Sequence, residues 1–95
     1  MTYREQGNYN AAEPLVREAI KVYIKLYGER HKETATLYSS FGWLLHLKGD
    51  DAEAIDFLEK ALDVGTELLG ADAAPTVKVR ERLEEVREAT DPTDQ

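Results

Sequence analysis

Between Asn10 and Leu26 the apolar residues fall at Ala12, Leu15, Ala19, Val22, Tyr23 and Leu26. Steps of three and four put them on one face of a helix. Asn10 followed by Glu13 has the form of a capping box, Pro14 suits a first turn, and Gly28 is a natural stop. The pattern predicts a helix over 10–27. A second face, made by Leu37, Phe41, Leu44 and Leu45, predicts a helix over 33–48 that Gly49 ends. Asp50 or Asp51 is placed to cap a third helix over 51–69, with Ala54, Leu58, Ala61, Leu62, Leu68 and Leu69 turned inward and Gly70 closing it. Gly65 interrupts that helix at about 1 kcal/mol relative to alanine, which implies a packing reason for it. Pro75 suits the first turn of a fourth helix over 75–89, whose narrow stripe is Val79, Leu83 and Val86. Residues 90–95 read as a disordered polar tail. No stretch alternates with period two over a strand length. The expected fold class is therefore all-α: one domain over 1–89, four helices and antiparallel neighbours.

The chain also repeats itself. Displaced by 42 positions, Gly7 meets Gly49, Ala12 meets Ala54, Ala19 meets Ala61, Val22 meets Val64, Leu26 meets Leu68, Gly28 meets Gly70 and Thr34 meets Thr76. Leu15 with Phe57, Val16 with Leu58 and Leu37 with Val79 are similar pairs. The identities are glycines at breaks and small or aliphatic residues at helical spacing, as a stacked helical repeat requires. Ala12, Ala19, Gly42, Ala54 and Ala61 let helix backbones approach closely.

The stretch Gly7-Asn8-Tyr9-Asn10-Ala11-Ala12-Glu13-Pro14-Leu15 resembles a tetratricopeptide repeat, and more narrowly the long-repeat variety found in kinesin light chains. Leu26-Tyr27-Gly28 with His31 and Thr34, and Leu69-Gly70 with Pro75-Thr76, are similar to that variety's Leu-Gly ends and His-Pro-x-Thr linkers. Tyr38, Phe41-Gly42, Leu45, Ala54, Leu58 and Ala61 fit the general pattern with conservative changes. The resemblance covers roughly residues 3 to 89. It implies an antiparallel helix-hairpin solenoid fragment. The helix from Asn10 would be the second of a broken repeat, and the next two helices would form one complete repeat. Arg80, Glu84 and Arg87 depart from the pattern on the last helix, and a polar outer face is what a terminal cap needs.

Composition narrows the function. The net charge is −7, and its Lys and Arg residues are scattered singly. This opposes binding to nucleic acid or an anionic lipid surface, and no apolar stretch is long enough to span a membrane. Zero cysteines remove disulfides, thiolate metal sites and cysteine nucleophiles. The opening Met1-Thr2-Tyr3-Arg4-Glu5 lacks the apolar core of a secretory signal, and the expected location is cytoplasmic. Carboxylates recur beside cations: Glu13 near Arg17, Glu18 near Lys21, Asp56 near Lys60, Glu84 near Arg87. This is a self-paired surface rather than an acid–base site. No phosphate loop or metal-ligand spacing is present. No enzyme, cofactor or metal is expected.

The resemblance implies a protein-interaction scaffold whose concave face takes a partner peptide or helix. The candidate residues are Ser39, Ser40, Trp43, His46, Lys78 and Arg82, each with an alternative. Trp43 is either an aromatic platform for the partner or packing against its own first or last helix. Ser39 and Ser40 stand where many long-repeat members carry an Asn pair that bonds a peptide backbone, or are small polar residues tolerated beside a helix. Lys78 and Arg82, four apart on one face, resemble the pair with which clamp-type members grip a C-terminal carboxylate, or are solvated charges paired with Glu81 and Glu85. His46 lies one turn beyond Trp43 and is structural unless burial makes it pH-sensitive. A second account is structural. Leu15, Tyr23 and their neighbours lack a partner helix, and self-association as a homodimer, by stacking or by a swapped helix, would cover them.

Overall fold

The computed structural model describes residues 3–90, with side chains from residue 8 onward. Four helices follow one another: α1 (Tyr3–Tyr27), α2 (Lys32–Lys48), α3 (Asp51–Leu69) and α4 (Ala74–Thr90). There is no strand among the described residues. Each helix packs on the next, and α2 also touches α4. The all-α expectation holds. The polar tail lies outside the described residues, except that Thr90 still belongs to α4.

The turns are built as their glycines require. Gly28, Gly49 and Gly70 have φ of 91°, 105° and 96°, a region costly for side chains with a Cβ. At Gly49 the backbone N–H reaches the Leu45 and His46 carbonyls, and the Asp50 N–H bonds the Leu45 carbonyl at 2.8 Å. These bonds satisfy the Leu45 and His46 carbonyls in the last turn of α2. At the start of α2 the His31 ring accepts the Glu33 N–H at 3.0 Å, and the Thr34 hydroxyl donates to the Gly28 carbonyl at 2.8 Å. Asp50 occupies the cap position of α3, but its side chain makes no cap bond.

The N-terminal boundary differs from the expectation. α1 does not begin at Asn10; it runs unbroken through Gly7 and Pro14. A glycine permits a turn without imposing one, and keeping it helical costs about 1 kcal/mol. Pro14 offers no N–H to the Asn10 carbonyl, but Asn10 is exposed, so water can take that bond. Glu13 does not close a capping box. Its carboxylate is held by Arg17 at 2.8 Å and by Lys48.

The core lies between α2, α3 and α4, where Phe41, Leu45, Leu58, Leu83 and Val86 are fully buried. α1 adds Ile20, flanked by Val16 and Ile24. The expected face of α1 is turned away: Leu15, Val22 and Leu26 are exposed. Leu68 and Leu69, expected inside, are exposed as well, at the rim of a pocket shared with α2 and α4. Gly65 does have a packing reason, since a Cβ on it would stand 3.2 Å from Thr76 Oγ1. The tightest approach is at Gly42. A methyl there would sit 2.7 Å from Leu58 Cγ and 3.1 Å from the Ala54 carbonyl oxygen.

Charged side chains tie the helices together. Arg17 bridges Glu13 and, at 2.9 Å, Glu53 of α3, with its guanidinium 4.9 Å from the centroid of the Phe41 ring. Arg30 joins Asp63 and Glu67. Two pairings expected along single helices are replaced by contacts between or across helices. Lys60 lies over the Tyr38 and Phe57 rings rather than on Asp56, and Arg87 reaches Glu59 rather than Glu84.

Two measurements follow. Gly42→Ala should lower unfolding stability by about 1–3 kcal/mol in chemical denaturation, because one contact is backbone and cannot swing aside. Hydrogen bonds from Lys48 and then Arg17 hold the Glu13 carboxyl below its ordinary value of 4.5. The folded form therefore binds that proton less tightly than the unfolded one. The resulting stability is complete above about pH 4.5 and is lost as pH falls through the lower folded value. Glu13→Gln should be less stable than wild type at neutral pH, with the gap closing in acid.

Candidate functional site

α2 and α4 lie on the same side of the hairpin stack, and their facing sides leave a shallow groove of about 180 Å³. It is lined by Thr36, Ser39 and Ser40 from α2 and by Pro75, Lys78, Val79 and Arg82 from α4. The 3.6-residue period sets this out. Thr36 and Ser40 are one turn apart on α2, and Lys78 and Arg82 are one turn apart on α4. Leu83 and Val86 bury the other side of α4 and so fix the direction in which the two cations point.

Arg82 is the centre of the arrangement. Its Nη1 donates to Ser39 Oγ at 3.1 Å, and its guanidinium carbon lies 5.4 Å from the centroid of the Trp43 ring. The guanidinium therefore fastens α4 to α2 through one hydrogen bond and one cation–π contact. Arg82 does not pair with Glu81 or Glu85. Lys78 is exposed and makes no ion pair among the described residues. Ser39 is buried beneath Arg82, whereas Ser40 is open to solvent. Trp43 is half-buried and packs against the core on one side. Its ring centroid is 5.1 Å from that of His46. His46 in turn bonds Asp51 through Nδ1 at 2.8 Å. A carboxylate only accepts, so Nδ1 carries the hydrogen and the ring is held by the turn at Gly49.

Four of the six candidate residues thus share the groove, and the other two follow it through side-chain contacts. Ser39, Ser40, Lys78 and Arg82 line the groove, Trp43 touches Arg82, and His46 touches Trp43 nearer the α2–α3 turn. Thr36, Pro75 and Val79 complete the lining, and the sequence reading did not single them out for it. Thr36 could have been found by stepping back one turn from Ser40. Asp51, the partner of His46, lies across a glycine turn, where helical spacing says nothing. Among the described residues no three His, Cys, Asp or Glu side chains gather as metal ligands, and no helix is long and apolar enough to cross a membrane.

Helix hairpins stacked in sequence, with a groove formed by the first helix of one unit and that of the next, define an antiparallel helical-repeat protein. The tetratricopeptide repeat pattern matches residues 1–67, and the chain belongs to the tetratricopeptide repeat family. Members of this family generally mediate protein–protein interaction and are typically non-catalytic. Clustered mitochondria protein homologs from Aspergillus niger, Aspergillus oryzae and Neosartorya fischeri are each 28% identical to it over 72 residues. That match covers 76% of this chain and 6% of each relative. The chain therefore corresponds to a small portion of those proteins.

The half-burial of Trp43 has a measurable consequence. Trp43→Ala should cost about 1–2 kcal/mol by circular dichroism-monitored unfolding, below the roughly 3–5 kcal/mol of a fully buried aromatic. Arg82→Ala should cost less, since it removes one hydrogen bond and one partly exposed cation–π contact.

Proposed function

We propose that this chain is a non-catalytic interaction module whose α2–α4 groove receives an extended or helical protein segment carrying carboxylates. The observation that supports this reading most directly is the pair Lys78 and Arg82 on one wall of the groove, opposite the open Ser40 hydroxyl and beside Trp43. In a chain of net charge −7, the groove is lined by two cations and no acidic residue. Carboxylates of a partner would meet Lys78 and the outer edge of Arg82, its backbone would meet Ser40 and Thr36, and an apolar side chain would lie against Trp43. Ser39 is already engaged by Arg82 and acts by holding it. The prevailing negative charge disfavours nucleic acid and anionic membranes as partners. The absence of cysteine fits a cytoplasmic setting.

A second reading, self-association of the chain, rests on a different observation: α1 leaves Leu15, Val22 and Leu26 exposed.

Trp43 is the single tryptophan, so its fluorescence reports the groove directly. An acidic peptide should change that emission saturably, and a neutral peptide of the same length should not. Lys78→Glu should weaken binding about tenfold, and raising the salt should weaken it further. Equal responses to both peptides, or an unchanged affinity in the Lys78 variant, would remove the groove from the function.

A further inference from the structure

The 42-residue repeat makes α3 a template for α1. Leu15, Val22 and Leu26 of α1 correspond to Phe57, Val64 and Leu68 of α3. On α3 the first two of these positions are covered, while Leu68 is itself 45% exposed. Phe57 packs on Phe41 with ring centroids 4.9 Å apart, and Val64 is buried. On α1 the same row is open, with Leu15 72%, Val22 48% and Leu26 68% exposed. Three large aliphatic residues in one line on a helix surface mark an interface rather than a solvated face.

The other end of the stack cannot fill it. The α2 residues that meet α3 include Tyr38, Gly42 and Leu45, and 42 positions on, α4 has Arg80, Glu84 and Arg87. Arg87 is committed to Glu59, and Arg80 donates to the Ala71 carbonyl at 2.8 Å. Head-to-tail stacking would bury these charges against Leu15 and Leu26, and buried charge without a partner is costly.

α1 is, however, complementary to itself. Leu15, Ala19, Val22 and Leu26 are spaced four, three and four apart, the seam of a coiled coil. Along one flank of that seam stand Glu18 and Lys25, seven apart and opposite in charge. Both are exposed, and with Lys21 and Val22 they line a shallow trough on the open side of α1. When two such helices lie antiparallel, the same flank of each faces the other. Leu15 then meets Leu26 of the second copy, Ala19 meets its Val22, and Glu18 meets its Lys25. A parallel pair would instead set Glu18 against Tyr23.

We propose that the chain forms a two-fold dimer through antiparallel packing of α1 on α1, centred between Ile20 and Lys21. This rests on the self-association reading and gives it a surface and a register. The groove between α2 and α4 stays open in such a dimer and is presented twice.

The test is sedimentation equilibrium of the full 95-residue chain over a concentration series, with helix content checked by circular dichroism. Wild type should be a dimer that dissociates on dilution. Leu15→Glu should be monomeric with unchanged helix content, because Leu15 contributes little to the fold of one chain. Glu18→Lys and Lys25→Glu should each weaken association by roughly three- to tenfold, as expected for two symmetric, partly exposed ion pairs. The double charge exchange should restore it. A chain that stays monomeric throughout overturns both self-association and this geometry. A dimer indifferent to all three single changes leaves self-association standing and overturns the α1 pairing. A double exchange without recovery overturns the antiparallel register, and masses that climb beyond the dimer would show open-ended stacking instead.

Discussion

At Gly42 the backbone of α2 lies so close to α3 that a single added methyl group would press on the Leu58 side chain and on the carbonyl of Ala54. That crossing sets the rest. With the two backbones in contact, Phe41 and Tyr38 of α2 both reach the Phe57 ring of α3. The aromatic cluster then gives Arg17 a surface to lie on, and Arg17 draws α1 toward Glu53. On the far side, Leu58 and Ala61 are left at the depth that Leu83 and Val86 of α4 require. Small residues in this fold are therefore not gaps in the core but the places that fix interhelical distance.

The groove is a by-product of the same geometry. α2 and α4 do not pack directly along their lengths; each is held by α3, and the space between them is bridged at Arg82. A guanidinium suits this role because it donates to a hydroxyl with its edge and covers an aromatic ring with its face. Lys78, one turn earlier, has no such partners and stays available. Two cations four residues apart thus divide into one that builds the groove and one that is open to what enters it.

Much of this was legible in the sequence. Gly28, Gly49 and Gly70 marked turns because a left-handed backbone is required there, and Val79, Leu83 and Val86 marked the buried side of α4 by spacing alone. Of the residues chosen for the concave face, Ser39, Ser40, Lys78 and Arg82 line one groove, Trp43 lies against Arg82, and His46 lies against Trp43. What was not legible has physical causes. Gly7 and Pro14 carry turn and start signals, but each is a local preference of a few kcal/mol at most, and α1 absorbs both. The face of α1 was misplaced because the helix is apolar on two sides. Val16, Ile20 and Ile24 meet α2, whereas the more regular row of Leu15, Val22 and Leu26 points outward. Periodicity finds an apolar face but not which neighbour it meets. The contacts of Arg82, Lys60 and Arg87 were missed because they cross between helices, and i, i+4 reasoning sees only one helix at a time.

Nearly every contact in the molecule joins helices adjacent in the chain. Such a topology has low contact order, and its cooperativity passes from neighbour to neighbour rather than through one shared centre. The α2–α3 hairpin has a partner on both sides, whereas α1 and α4 each rest chiefly on one neighbour. Amide protection should therefore decline outward from that hairpin, and α1, with one face uncovered, is the element that can detach while the rest stays folded. Whatever occupies the outer face of α1 sets the rate at which the chain begins to open.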